Sequence, residues 1–294
     1  MATTYNNLYM DIRQELHRAG IDAATLEARE LVAFAAGKTR QELLRDSRLY
    51  VPQDVEERAR ALMRRHLAGE PLAYLIGEWS FCGMDLDVNE SVLIPRTDTE
   101  VLAQLAIDYV RTLPEPRVLD LCAGSGCVGL AVAKFCPGSH VVLGELMEDA
   151  LRVCRQNIRR CGLTAQVMPW QVNALDGPPP RFGEFDCIVS NPPYIPDGDI
   201  AGLDVSVREF EPLTALKGGA DGLDFYRAVS DKWRAALRPS GRLYFEVGIG
   251  QADDVLRIMR TQGFGDIQVV PDTAGIPRVV YGTLCDSVFD NAES

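Results

Sequence analysis

The sequence contains no run of ~18 uninterrupted apolar residues, the length a membrane-crossing helix needs, so no membrane span is expected. Its start, MATTYNNLYMDIRQEL, lacks the basic and apolar regions of a secretory signal. No two of its eight cysteines (82, 122, 127, 136, 154, 161, 187 and 285) make a CxxC pair, which leaves no structural zinc spacing. Several lie inside apolar runs, where a free cysteine packs as a small hydrophobe. A reduced, cytoplasmic protein is expected. Histidine is scarce as well: only His17, His66 and His140 occur, none near the motifs below.

A surplus of positive charge is also missing. The formal net charge is -12, and residues 1–75 hold 11 basic and 11 acidic residues, so the rest of the chain supplies all of it. Phosphate backbones are bound by clustered Lys and Arg, so a nucleic-acid substrate is disfavoured. What is present is ordinary for a globular protein: 47% hydrophobic and 24% charged residues over 294 positions. That length accommodates one large domain and a smaller one.

Residues 1–73 read as a helical bundle. Leu8, Ile12 and Leu16 repeat at four-residue spacing; Leu26, Leu31, Val32 and Ala35 form a second stripe that stops at Gly37. Pro52 and Asp54 open a third helix ending at Gly69. Residues 74–95 alternate at Phe81, Met84, Leu86 and Val88 with turn signals at Gly83 and Asn89, which predicts a β-hairpin linker. From residue 96 to 285 helical and strand patterns alternate, implying a parallel sheet covered on both faces. Residues 286–294 read as a polar tail. Ligands of such sheets sit at the carboxyl ends of the strands, here near residues 120, 145 and 190.

The first strand end, VLDLCAGSGCVG, puts Asp120 before Gly124 and Gly126, where glycines permit a tight turn and close backbone approach to a ligand. Gly124, Gly126 and Gly129 satisfy GxGxxG, which also admits a dinucleotide. Glu145, about 20 residues on, suits ribose hydroxyls. Asp120 favours S-adenosylmethionine, whose positively charged amino acid end a carboxylate attracts. Asn173 stands where adenine or its neighbourhood would lie, or simply in a solvated loop.

The third strand end is Ser190-Asn191-Pro192-Pro193-Tyr194-Ile195-Pro196. A planar NH₂ needs two acceptors in its plane; Asn191 Oδ1 supplies one and a proline-pair carbonyl the other. Prolines pre-set that backbone, and Tyr194 offers an aromatic face. Acceptors on both protons favour pyramidalisation of an amide nitrogen and aim its lone pair at an electrophilic methyl. No strong general base is expected. The same logic fits an exocyclic amino group of a nucleobase in DNA or RNA, the alternative reading.

Asn191 to Tyr194 together with DLCAGSG resembles the methyltransferases of exocyclic and amide nitrogens. VLIPRTDTEVL (92–102), EFEPLTALKGGADGLDFYR (209–227) and LYFEVGIGQ (243–251) are similar to the PrmC/HemK family, the peptide chain release factor glutamine methyltransferases, over nearly the whole chain. The resemblance implies a Rossmann-like class I S-adenosylmethionine-dependent methyltransferase sheet with a small N-terminal helical, substrate-recognising domain joined by a β-hairpin. It implies that Asn191, Pro192, Pro193 and Tyr194 hold the glutamine amide of a Gly-Gly-Gln loop. It further implies that Cys122, Ala123, Gly124, Ser125 and Gly126 line the cofactor beside Asp120, Asn173 and Asn191, with Glu145 on the ribose. Cys122 stands where the family commonly has glycine, which ordinary backbone angles would tolerate; Glu145 and Asn173 replace aspartates and Thr97 a proline. Arg96, Thr99 and Glu100 border the substrate channel on this reading, or serve as a helix cap and surface pairs. GGADGLDFYR reads as a structural loop entering a helix.

Overall fold

The computed structural model describes residues 3–180 and 182–285; the C-terminal tail 286–294 lies outside the described residues. The chain divides into two units. One runs up to Glu78 and takes in Asp204–Phe210; the other comprises Trp79–Leu203 and the chain from Glu211 on.

The first unit holds helices α1 (Tyr5–Arg18), α2 (Ala24–Ala36), α3 (Arg40–Arg45), α4 (Gln53–Leu67) and α5 (Leu72–Ile76). Leu8, Ile12 and Leu16 are buried along α1, whose first turn is capped by the Thr4 side chain accepting from Asn7 N. On α2 the buried stripe is Ala24, Ala28, Leu31, Val32 and Ala35, closed by Gly37 in the left-handed region. Leu26 falls outside that stripe and is exposed, contrary to the sequence pattern, because it lies five positions from Leu31 and so on another helical face. The short α3 begins with a capping box between Thr39 and Glu42. His66 Nε2 meets Glu27 Oε2 at 2.8 Å, tying α4 to α2.

A hairpin follows, β1 (Glu78–Phe81) and β2 (Met84–Asp87), all but its first residue in the second unit. It is shorter than the 74–95 expected from alternation: residues 72–76 are helical, closed by Gly77 at φ 76°. Then follow α6 (Thr99–Val110), β3 (Arg117–Leu121), α7 (Cys127–Phe135), β4 (His140–Glu145), α8 (Glu148–Arg160), β5 (Val167–Gln171) and β6 (Phe185–Ser190). The short α9 (Val205–Arg208) belongs to the first unit. The last described elements are α10 (Asp224–Lys232), β7 (Leu237–Glu246), α11 (Ala252–Thr261), β8 (Phe264–Pro271) and β9 (Pro277–Leu284).

The sheet has seven strands in the order β5-β4-β3-β6-β7-β9-β8. The first five are parallel, while β9 runs antiparallel to its neighbours β7 and β8, so the sheet is not parallel throughout. Alternation along each strand fills two cores. Val118, Val141, Cys187, Val189 and Tyr244 pack under α6 and α7. Leu119, Val142, Ile188 and Phe245 pack under α10 and α11. Chain order reverses between β3 and β6, which places the carboxyl ends of β3, β4 and β6 around one crevice. Among the described residues no helix is long and apolar enough to cross a membrane.

Candidate active site

The crevice is an open cleft of about 930 Å³, mouth and adjoining solvent included. Asp120, Cys122, Ala123, Gly124, Ser125, Glu145, Asn173 and Asn191 all line it. Gly126, Pro192 and Tyr194 are not among its lining residues. Gly126 instead begins α7 at φ 82°, where an added Cβ would lie 2.8 Å from Leu143 Cδ1.

At the end of β3 the buried Asp120 carboxylate accepts a 2.8 Å hydrogen bond from Gly129 N in the first turn of α7. Gly129 has to be glycine for this, since a Cβ there would stand 2.3 Å from Leu143 Cδ2 and 3.1 Å from Asp120 Cβ. Burial pushes the Asp120 carboxyl up to about 7, opposed by the Gly129 N–H and reinforced by the negative Glu145. Ser125 Oγ is buried in the same turn without a hydrogen-bond partner. The next helix fastens the turn: Cys154 Sγ–H reaches Gly124 O at 3.1 Å and Asn157 Nδ2 donates to Ser125 O at 2.9 Å. Asn157 also exchanges hydrogen bonds with the Asp87 backbone of the hairpin. Nothing in the sequence pattern distinguishes Asn157 from other helix polars; its complete burial is what marks it.

Cys122 corrects an expectation. Its φ is 60°, in the left-handed region rather than at ordinary angles, so the residue is strained where glycine would not be. Relief of about 1–2 kcal/mol in Cys122→Gly is offset by about 0.4–1 kcal/mol of extra unfolded-state freedom. Thermal melts should therefore show Cys122→Gly neutral to slightly stabilising. Cys122→Val, β-branched at the same φ, should lose about 2 kcal/mol or more.

Glu145 ends β4 with its carboxylate held by three amides: Gly124 N at 3.0 Å on Oε2, Leu146 N at 2.7 Å and Met147 N at 2.9 Å on Oε1. It thus fixes the glycine turn as well as facing the cleft. Asn173 is more committed: Oδ1 accepts from Leu175 N and Nδ2 donates to Asp176, each at 3.0 Å. Its side-chain amide closes its own turn, which leaves only one N–H and one oxygen lone pair for any contact with adenine. Leu146, Met147, Ala150 and Val172 supply an apolar wall nearby.

At the end of β6, Asn191 Nδ2 donates to Thr99 Oγ1 at 3.3 Å. Its Oδ1 is left for an incoming donor. Ser190 Oγ donates to Leu121 O at 2.8 Å and locks the two strand ends together. The Pro-Pro-Tyr backbone rests on the glycines of residues 218–222. An added Cβ at Gly218 would be 2.8 Å from both Pro193 O and Tyr194 Cα, and one at Gly222 only 2.3 Å from Tyr194 O. Ile195 N and O bond Leu216 O and Gly218 N at 2.9 Å, and Gln251 Nε2 donates to Tyr194 O at 2.9 Å. The loop glycines therefore shape the site, and Gln251 is a further contributor that sequence reasoning passed over. Burial pushes the Tyr194 hydroxyl up to about 12, so it stays neutral.

Of the three residues assigned to the channel border, Arg96 and Thr99 line the cleft. Glu100 does not: its Oε1 accepts from Cys82 N at 2.8 Å in the hairpin turn, because that turn's amide has no strand partner. Arg96 is paired at 2.5 Å with the buried Glu211. Phe225, at the start of α10, also lines the cleft. Among the described residues no cluster of His, Cys, Asp or Glu is arranged to hold a metal ion.

Residues 7–77 match the PrmC N-terminal domain family and residues 93–206 the methyltransferase small domain family. A release factor glutamine methyltransferase of Geobacter sulfurreducens is 41% identical over 279 residues, 92% of this chain and 94% of that one. One from Gloeobacter violaceus is 40% identical over 265 residues, 88% of this chain and 90% of its own. In fold, the chain resembles the crystal structure of a methyltransferase from Pyrococcus furiosus at TM-score 0.51 and 16% identity, covering 76% of this chain and 98% of that one.

Proposed function

The chain belongs to the family of release factor glutamine methyltransferases, and on that footing we propose the roles of its residues in moving a methyl group from S-adenosylmethionine to a release factor's glutamine amide. The observation that carries the assignment of roles is Asn191: its Nδ2 is engaged by Thr99, which leaves Oδ1 unbonded, and the residue lines the same cleft as the glycine turn.

The cleft fits S-adenosylmethionine on its own features. Ser125 Oγ is buried at the α7 N-terminus without a partner, and Asp120 is a buried acid facing a cavity that would take a cation. Asp120 and the 122–126 turn would hold the amino acid end, Glu145 the ribose, and the apolar wall at Leu146 and Met147 the base. Bound there, the cofactor supplies an electrophilic methyl. Asn191 Oδ1 takes one N–H of the substrate amide, and a carbonyl of the Pro192-Pro193 pair takes the other. The two acceptors draw the nitrogen lone pair out of conjugation. Such alignment supplies about 7–11 kcal/mol in favourable cases. The proton leaves to solvent as or after the bond forms. The Gly-Gly-Gln loop, with two glycines before the glutamine, is the segment slim enough for this entry. The helical residues 1–73 serve recognition of the release factor, the hairpin links, and residues 96–285 catalyse. Eight free thiols fit a cytoplasmic enzyme.

Labelled-methyl assays with a release factor, DNA and RNA in parallel test this reading. Label on the release factor alone is expected; label on nucleic acid alone would replace it with the nucleobase alternative, which an acidic chain of charge -12 disfavours.

Cofactor affinity should depend on pH. A cation beside Asp120 favours its ionised form, so affinity should rise as pH climbs through about 7. The apo protein behaves oppositely: with its folded value raised above 3.8, Asp120 stabilises fully below that value and loses this as pH rises through about 7. Calorimetric titration across this range checks the first trend, and Asp120→Asn should flatten both.

A further inference from the structure

Three elements meet behind Asn191. Asn191 follows β6 directly, Glu246 ends β7, and Thr99 opens α6. In the parallel β6–β7 register Ser190 pairs with Phe245, so Asn191 and Glu246 come one step later on both strands. Alternation sends them to the same face as Val189 and Tyr244, the face that α6 covers. Thr99 and Glu246 are both 2% exposed. The Thr99 side chain is near enough to lower the Glu246 carboxyl, and Glu246 Oε2 is buried without a hydrogen-bond partner of its own.

A hydroxyl has one proton. If Thr99 gives it to the Glu246 carboxylate, a charge-assisted bond, only lone pairs remain for Asn191, which must then present its NH₂. That is the observed arrangement, with Asn191 Nδ2 on Thr99 Oγ1. The opposite amide orientation would put an NH₂ toward the substrate NH₂, donor against donor. We propose that Thr99 and Glu246 are positioning residues for methyl transfer: Glu246 takes the Thr99 proton, and Thr99 thereby fixes Asn191 with Oδ1 toward the substrate amide. The proposal rests on the role given to Asn191 above. Both residues act through Asn191, and neither touches the amide.

The carboxyl of Glu246 is pushed up to about 7, first by burial, with Thr99, Arg278 and Arg96 lowering it and Asp98 raising it. A protonated Glu246 can donate to Thr99 Oγ1, freeing the Thr99 proton for Asn191 Oδ1 and reversing the amide. Glu246→Gln mimics that state at every pH.

The test compares unmodified enzyme with Thr99→Val, Thr99→Ser and Glu246→Gln, measuring kcat and KM for a release factor and, by calorimetry, Kd for S-adenosylmethionine. Thr99→Val and Glu246→Gln should lower kcat by roughly 100-fold, the scale of a misplaced reacting group, and leave Kd within about twofold. Thr99→Ser should stay within about threefold of the unmodified enzyme. At saturating cofactor, kcat of the unmodified enzyme should rise through about 7, and Glu246→Gln should abolish that limb. Undiminished kcat in Thr99→Val, failure of Thr99→Ser to retain activity, or a parallel loss of cofactor affinity would overturn the proposal. No transfer by the unmodified enzyme would overturn the reading beneath it as well.

Discussion

Asn191→Ala should reduce kcat for release factor methylation by roughly 1,000-fold or more while leaving S-adenosylmethionine affinity within a few-fold. The asymmetry follows from position. Asn191 lines the cleft from the end of β6, whereas the turn at 122–126 and Glu145 are built independently of it. Removing the side chain deletes one of two acceptors for the amide protons and leaves the Thr99 hydroxyl facing empty space. The nitrogen would then stay conjugated with its carbonyl and be a poor nucleophile. Single-turnover rates alongside equilibrium cofactor binding separate the two effects. Equal losses in both would mean that Asn191 serves the cofactor rather than the substrate.

The second large effect concerns a residue far from the reacting atoms in sequence. Gly222→Ala should lower kcat by roughly 100-fold and destabilise the protein by about 1–3 kcal/mol. Gly222 has φ 75°, and an added Cβ would stand 2.3 Å from Tyr194 O and 2.7 Å from Gln251 Nε2. Gln251 is flexible enough to yield, but the Tyr194 carbonyl belongs to the proline-fixed backbone and is not. It is also the carbonyl that Gln251 anchors at 2.9 Å. The methyl group would therefore push the clamp itself. Gly275→Ala is the control: it too has positive φ, 81°, but a Cβ there meets nothing within 4 Å. It should cost stability through strain alone and spare kcat. Equal kcat losses in both variants would remove the case for the 218–222 loop as part of the site.

Much of this architecture was readable in the chain. The apolar periods of α1 and of the sheet strands, Gly37 as a helix stop, and the strand ends at Asp120, Glu145 and Asn191 all follow from local pattern. Local pattern fails where a residue's purpose depends on something distant. Leu26 looked like part of a stripe because hydrophobicity was counted without its angular position. Cys122 gave no hint of a left-handed backbone, since the conformation is imposed by the turn between β3 and α7 rather than chosen by the thiol. The glycines at 218 and 222 read as loop punctuation; only the approach of the Pro193 and Tyr194 backbone shows why no side chain fits. Glu246 ended an apolar strand, and Thr99 and Asn191, the residues it meets at the strand ends, lie 147 and 55 positions away in the sequence. Asn157 bridges Asp87 and Ser125 across 70 and 32 positions. Such contacts have no local signature because the parallel sheet, with its long crossovers, creates them.

The central claim is that Asn191 and its proline-fixed neighbours hold a release factor's glutamine amide for methylation. The most direct measurement is tandem mass spectrometry of a release factor after incubation with this protein and S-adenosylmethionine, beside an identical incubation with Asn191→Ala. The account predicts one added methyl on the side-chain nitrogen of the glutamine in the Gly-Gly-Gln loop, absent with the variant. Methyl on another residue, or on that glutamine with the variant at the unmodified rate, would contradict it.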